Sequence, residues 1–452
     1  MSNSKKAMMA TLKPKSIWRK PWFYLVLVIA LALLALLAYQ VPGVKRRVDA
    51  LYGKIYYKLN PPSAAVFNPS QQGTIEAMIH QTQTAAAFSV SEEPVVSTIE
   101  TALPGETPAS TEQATEEPTP IPPTATPTPY PVPAAFTIEN MGLERQSFNN
   151  CGPANLSMNL NFWRWSTNQE RMRLALRTHD DDRNVMLSEM RDYVLNNTEN
   201  LGTILRYGGD LQVLKALVSG GYPVLLERGH TDPDNGWMGH YSIIHAYNDA
   251  TQTVTSNDTL LGTITLSYDE LMLDWRHFDG IYIVVYPADR EEDVLERLSA
   301  HADEAENLRL SLEAVEARLP QEKGRELFFA LYSKGQLLVE MGRYLEASLA
   351  FDDAFSVYGQ LDMGARPWRM TWYQIGPYLA YFHTGRYQDT LALAQQTLDN
   401  SKEPKALPET YYWAGMAAAQ LGQYEEAKGF FNKALEYHPK WQAALDGLNL
   451  LP

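Results

Sequence analysis

The sequence predicts a mixed α+β domain followed by an all-α helical-repeat solenoid, on an N-terminal single-pass membrane anchor and a disordered stalk. Three observations predict it. Trp22 to Tyr39 is an uncharged, almost wholly apolar run, at the lower end of what spans a bilayer as a helix. Cys151 is the single cysteine; it opens a helical pattern that four β-type runs follow. A Gly-x-Tyr motif then recurs at Gly342, Gly385 and Gly422.

The N-terminal elements come first. Trp18, Trp22 and Tyr24 stand at one end of the apolar run and Tyr39 at the other, where amphipathic rings favour the interface. Lys5, Lys6, Lys13, Lys15, Arg19 and Lys20 precede it with no acid among them. This asymmetry places a basic tail, 1–21, in the cytoplasm and everything after the 22–40 helix outside. A cleaved signal peptide is the weaker reading, because the run is long and Leu36 stands where a small residue is needed before Ala38. In the juxtamembrane region, 41–85, Val44, Val48, Leu51 and Ile55 have helical spacing up to Pro61-Pro62. From 86 to 135 the composition shifts. Pro94 to Pro133 holds eleven of the chain's 28 prolines, with Thr and Glu but no Lys or Arg. Such a segment cannot bury enough apolar surface to fold, and it is expected to hold the following domain well off the membrane.

Structure resumes at 136–288. Asn149-Asn150-Cys151-Gly152-Pro153 precedes an amphipathic helix, with Asn149 or Asn150 as its cap and Pro153 in its first turn. A cysteine at a helix start meets unclaimed amides and the positive end of the macrodipole, which stabilise a thiolate. Gln146 can place a side-chain amide near that thiolate as an oxyanion donor. Tyr222–Glu227, Gly239–Tyr247, Thr253–Asp258 and Ile281–Tyr286 read as strands. Cysteine, histidine and carboxylate in that order form a nucleophile, base and orienter. His230 and His245 compete with His240, but His245 lies an odd number of residues further along the strand and faces the other side. Asp180-Asp181-Asp182 reads as a solvated turn, lacking the Gly and Glu of a calcium loop.

Gln146, Asn150-Cys151-Gly152-Pro153-Ala154, Gly221-Tyr-Pro223-Val224, Gly239-His240-Tyr241 and Asn257-Asp258 together resemble the papain-like cysteine peptidases of the bacteriocin-processing type, which cut leader peptides after a double glycine. The resemblance is to their stand-alone relatives without a transporter and covers roughly 136–287. It implies a papain-like fold with Cys151 as nucleophile, His240 as base, Asp258 as the imidazole's orienter and Gln146 at the oxyanion. The family usually has proline after the aspartate; here Thr259 follows, and Asn257 stays open as an alternative orienter. The sequons at Asn155 and Asn257 fall on the proposed site, where glycans would obstruct it, so a bacterial surface suits the sequence better than a eukaryotic secretory route.

Charged residues with leucines at helical spacing predict a helical connector over 289–324. In 325–452 the Gly-to-Gly distances are 43 and 37, and small residues with a turn glycine resemble tetratricopeptide repeats. The extra residues are expected to lengthen loops around 363–367 and 401–404. Stacked repeats give a concave face for peptides or proteins; of Tyr373, Tyr378, Tyr381, Tyr411, Tyr412 and Trp413, most are expected in the repeat core.

Net charge is −15, from 53 acidic and 38 basic residues, which excludes a nucleic-acid binder. A lone cysteine excludes a disulfide framework and CxxC sites, and no GxxxxGK[ST], HExxH or GxGxxG is present. No cofactor or metal is implied. The expected function is a membrane-anchored extracytoplasmic cysteine peptidase whose repeats recruit a protein substrate or partner without supporting the catalytic fold. The alternatives are an inactive surface adaptor and a thioester-forming acyltransferase.

Overall fold

The computed structural model describes residues 21–39, 41–59, 61, 65–70, 130–232, 236–401 and 404–452. The basic tail and residues 71–129, with most of the 86–135 stalk, lie outside the described residues. Two compact units result, 1–60 and 61–452.

In the first unit the apolar run forms helix α1 (Pro21–Tyr39), and α2 (Pro42–Leu59) follows. The Val44, Val48, Leu51 and Ile55 side chains of α2 are exposed. Among the described residues no helix is long and apolar enough to cross a membrane.

The second unit is built on a seven-stranded sheet. Its strands are β1 (Ala135–Thr137), β2 (Leu201–Arg206), β3 (Val224–Asp232), β4 (Gly236–Asn248), β5 (Thr253–Asp258), β6 (Gly262–Ser267) and β7 (Tyr282–Pro287). Their order is β2-β7-β3-β4-β5-β6, with β1 beside β4 and every ladder antiparallel. Four of these strands stand in the sequence as β-branched and aromatic runs; β1, β2 and β6 are additional. Helices α3 (Cys151–Phe162), α4 (Gln169–Leu176) and α5 (Leu187–Asn197) cover one face, and α6 (Leu211–Ser219), α7 (Tyr268–Trp275) and α8 (Glu291–Leu298) cover the other.

Next come α9 (Glu304–Arg318) and the repeat helices α10 (Gly324–Glu340), α11 (Tyr344–Gln360), α12 (Met370–Tyr373), α13 (Gly376–His383), α14 (Tyr387–Asn400), α15 (Pro408–Gln420), α16 (Tyr424–Tyr437) and α17 (Gln442–Asn449). Gly342, Gly385 and Gly422 each have φ between 71° and 75°, a left-handed turn that favours glycine. That is the physical content of the recurring motif.

Three expectations need correction. First, the repeats are not an appended module. One continuous core runs from Leu156 and Tyr241 of the sheet domain to Phe328, Phe351 and Tyr381 of the repeats. At the junction Trp237 stacks on Phe278 at 5.6 Å and meets Phe329 at 5.1 Å, while Arg369 donates to the Trp237 carbonyl at 2.9 Å. Each buried aromatic removes on the order of 150–250 Å² from water, about 4–6 kcal/mol before entropy. Against a total stability of roughly 5–15 kcal/mol, such a junction is not optional.

Second, part of the juxtamembrane region and the last residues of the 86–135 segment pack on the second unit. Phe67 is buried among the repeats, edge-on to Phe355 at 5.0 Å, and the Ser70 amide and hydroxyl both donate to Asp389. At the other end Tyr130 and Pro133 accept hydrogen bonds from Gln212 and Tyr247. Residues 71–129, between these contacts, lie outside the described residues. Third, Asp182 is buried, unlike the exposed Asp180 and Asp181; its carbonyl accepts from Arg177 and Asn149 and braces the loop before Cys151.

Candidate active site

Cys151 is the first residue of α3. Asn150 occupies the cap position, yet its side chain makes no capping bond and donates instead to Gln169 at 2.9 Å. The amides of the first turn are thus unclaimed by a cap and available to an anion. Asn149, immediately before, has φ 57°, the left-handed conformation Asn tolerates best after glycine. Asn155, fully buried one turn on, donates to the carbonyls of both Cys151 (2.9 Å) and Tyr241 (3.0 Å). This side chain fixes the helix start against β4, next to His240.

The β3–β4 register sets Arg228 opposite His240, and the β4–β5 register sets Ser242 opposite Asp258. Residues two apart share a face, so Arg228, His240 and Asp258 fall together. His240 Nε2 lies 3.0 Å from Asp258 Oδ1. The ring N–H is not aimed along that line, so the contact is foremost an ion pair. Asp258 is fully buried and its oxygens are all engaged. Oδ1 accepts from the amides of Leu260 and Leu261, both at 2.8 Å, and Oδ2 from Arg228 at 3.0 Å. Arg228, itself 2% exposed, is held in turn by Asp274 at 3.0 Å.

The electrostatics follow from these contacts. Burial alone would raise the Asp258 carboxyl, but His240, the Leu261 amide and Arg228 hold it well below the usual carboxylate range. Burial alone would lower the His240 imidazole; Asp258 and Cys151 instead push it up to about 9. Burial would raise the Cys151 thiol, yet the hydrogen bond and charge of His240 and the amides of Tyr241 and Gly152 bring it below its ordinary value. The arrangement favours a thiolate–imidazolium pair.

Gln146 lines the same cleft as Cys151 and His240. The Thr259 hydroxyl donates to its Oε1 at 2.6 Å, so Nε2 is the end of the amide not held by Thr259. The residue that departs from the family's proline thereby orients the glutamine. Asn257 points elsewhere: it donates to the carbonyls of Met141 and Gly142 and accepts from Thr263. It is not near His240's partner position. His245 sits at a β-bulge beside Asn257, and burial lowers its imidazole. The His230 ring stands 5.9 Å from that of His240, outside the Asp258 contact. Among the described residues no cluster of three or more His, Cys, Asp or Glu could hold a metal.

Sequence reasoning missed Arg228, and it gave Asn155, Thr259 and Tyr373 no part in the site. Tyr373 comes from the repeats and lines the cleft beside Gly239. A Cβ on Gly239 would fall 3.1 Å from the Tyr373 ring and 2.7 Å from Phe278. The 43-residue spacing was the available signal: its surplus builds not only a longer loop but α12, which delivers Tyr373.

Residues 137–285 match the model of the Peptidase_C39 like family, and 408–441 match a tetratricopeptide repeat. The chain thus carries a C39-like peptidase domain followed by tetratricopeptide-repeat structure. Aryl-hydrocarbon-interacting protein-like 1 of Papio cynocephalus and of Macaca mulatta are each 26% identical over 121 residues, 25% of this chain and 32% and 31% of theirs. The chain spans about a third of the length of these curated relatives. A crystal structure of a C39-like peptidase from Bacillus anthracis is 14% identical, covering 34% of this chain and 97% of that one at a TM-score of 0.28. A double glycine motif protease from an AMS/PCAT transporter, in complex with the leader peptide, is 17% identical over 32% and 91% at 0.25.

Proposed function

We propose that the protein is a cysteine peptidase that hydrolyses a peptide bond through a thioester on Cys151. The observation that carries this reading is the His240 imidazole, set between the Cys151 thiol and a carboxylate whose oxygens are fully engaged. The Cys151 thiolate attacks the peptide carbonyl carbon. The oxyanion that forms is met by the Cys151 amide and by Gln146 Nε2. His240 gives its proton to the leaving amine, whose departure leaves the thioester. It then takes a proton from the water that hydrolyses that thioester, and Cys151 is released. Asp258 stabilises the imidazolium without taking its proton.

In the same proposal the apolar run over 22–39, together with the residues that flank it, anchors the chain in a cell membrane with the basic tail inside, and the repeats take part in holding a protein substrate. The charge asymmetry around 22–39 supports the orientation. Carbonate-washed membranes should retain the full chain, and protease added outside should leave only a short N-terminal piece. The chemistry is tested by incubating the full chain with a mixed peptide pool and following new termini by mass spectrometry. Wild type should produce them and Cys151→Ala should not. Adducts on an added amine in place of free carboxyl termini would assign the thioester to acyl transfer.

A further inference from the structure

A second cavity opens beside the cleft. Glu227 and Tyr373 line both. The cavity encloses about 180 Å³ between the sheet domain and the repeats, bounded by the apolar Leu205, Ile281 and Leu379 and by the polar Tyr207, Gln336 and Gln374. A cavity of roughly 150 Å³ holds a benzene-sized molecule, so a long side chain fits here.

Ser188 and Tyr207 bring hydroxyls to its lining, but the unmet polar atoms there are all acceptors. Glu227 is 5% exposed and its Oε1 has no hydrogen-bond partner. The Tyr241 hydroxyl, which also interacts with the Glu227 carboxyl, gives its proton to the Val185 carbonyl at 2.7 Å. Gln374, 7% exposed, donates Nε2 to Asp279 at 2.8 Å, and its Oε1 is left without a partner. Gln336 donates Nε2 to Glu340 at 2.8 Å, and its Oε1 is likewise unpartnered. Three residues from three separate elements, each with one unpartnered acceptor oxygen, therefore line one cavity. Native proteins rarely leave buried acceptors unmet, because each costs free energy comparable to a lost hydrogen bond.

We propose that this cavity is a specificity pocket for an arginine side chain of the substrate, on a residue flanking the scissile bond. A guanidinium brings five N–H donors and no acceptor, and its planar fork can reach oxygens on different walls where an ammonium presents a point charge. The apolar walls take the methylene stem. Asparagine or glutamine in the same place would add a further acceptor to a site that already has too many. Burial, with the Cys151 charge adding to it, holds the Glu227 carboxyl well above its ordinary range; a cation beside it acts in the opposite sense. Two walls, Gln336 and Gln374, belong to the repeats. The pocket is therefore complete only when both parts of the unit are assembled.

The proposal rests on the peptidase reading for the substrate's position but not for the binding itself, and the test separates the two. Acetyl-arginine methylamide, its citrulline counterpart and its norleucine counterpart are titrated by calorimetry into the full-length Cys151→Ala chain. The arginine compound should bind at least tenfold more tightly than citrulline, and norleucine weakest. Glu227→Gln should remove most of that preference, and Gln336→Met, on the repeat side, should reduce it severalfold. In wild type, labelling of Cys151 by an arginyl chloromethyl ketone should outpace the citrullinyl reagent by tenfold or more, with iodoacetamide as the control for the thiol. Fast iodoacetamide labelling without arginine preference in either assay overturns the pocket and leaves the peptidase. Arginine binding that depends on Glu227, with a sluggish thiol, keeps the pocket and overturns the peptidase. Should Glu227→Gln fail to fold, equal binding of the three compounds to the Cys151→Ala chain still overturns it.

Discussion

On one wall of the cleft Asp258 is fully buried with its oxygens engaged by Arg228, Leu260 and Leu261; on the other, Glu227 is almost as buried with Oε1 unpartnered. The two carboxyls respond in opposite directions, Asp258 falling well below the usual range and Glu227 rising well above it. Burial alone raises both, so partners decide the sign. A carboxylate with three donors and a cation is preorganised to steady an imidazolium through a reaction. A carboxyl with an unmet oxygen is poised to receive a donor. The first wall comes entirely from the sheet domain; the second is completed by Tyr373, Gln336 and Gln374 of the repeats.

The largest test of this difference removes the repeats. A chain ending at residue 324 loses the repeat-side partners of Trp237 and Phe278, and it should show no cooperative melting transition by calorimetry. A sharp transition near that of the full chain would mean the first wall stands without the second.

Asp258→Ala leaves Arg228 buried beside its remaining partner Asp274 and should cost on the order of 3–5 kcal/mol, read by chemical denaturation at neutral pH. Glu227→Met should do the reverse. It removes an unpaired buried carboxyl and should be neutral or stabilising, by up to about 1–3 kcal/mol. Destabilisation comparable to that of Asp258→Ala would show that Glu227 has a partner and that the walls are alike.

The pH dependence sharpens the same contrast. Asp258's folded value lies below its unfolded one, so its contribution is present above about pH 4 and is lost as pH falls below that. Glu227's folded value lies above its unfolded one, so it costs stability once pH rises past about 4.3. The advantage of Glu227→Met should therefore be small at pH 4 and grow toward neutrality, and denaturation midpoints at several pH values would measure it. The smallest effect is expected of Thr259→Val. Losing the bond to Gln146 should cost about 1 kcal/mol and lower peptide turnover by roughly tenfold. Thiol alkylation, which builds no oxyanion, should be unchanged.

Much of the first wall is legible in the sequence because it lies in short motifs. Cys151 at a helix start, His240 within one strand and Asp258 closing the next are each local statements. Arg228 is not, because what makes it a neighbour of Asp258 is the pairing of β3 with β4 and of β4 with β5. Register is set by long-range packing. Thr259 is visible as a departure from the family's proline, but its hold on Gln146 needs the two loops brought together. The turn glycines 342, 385 and 422 mark the repeats at once, since a left-handed turn has a residue preference of its own. Where the first repeat's surplus residues go is invisible. Nothing local in Met370–Tyr373 shows that it packs against the sheet domain. The second wall is illegible for that reason: its residues lie 109 to 147 positions apart, from Glu227 to Gln336 and Gln374.

The central claim is that the first wall holds Cys151 as a thiolate paired with His240. With one cysteine in the chain, every adduct reports on it. The direct measurement is the rate of iodoacetamide alkylation of the full-length protein from pH 4 to 10. With the thiol lowered and the imidazole raised to about 9, the rate should remain high at pH 6. There His240→Ala should slow it by tenfold or more, and much less at pH 9, while His245→Ala should leave the profile unchanged. A rate that climbs only as a free thiol ionises near 8.5, and that ignores His240, would contradict the account.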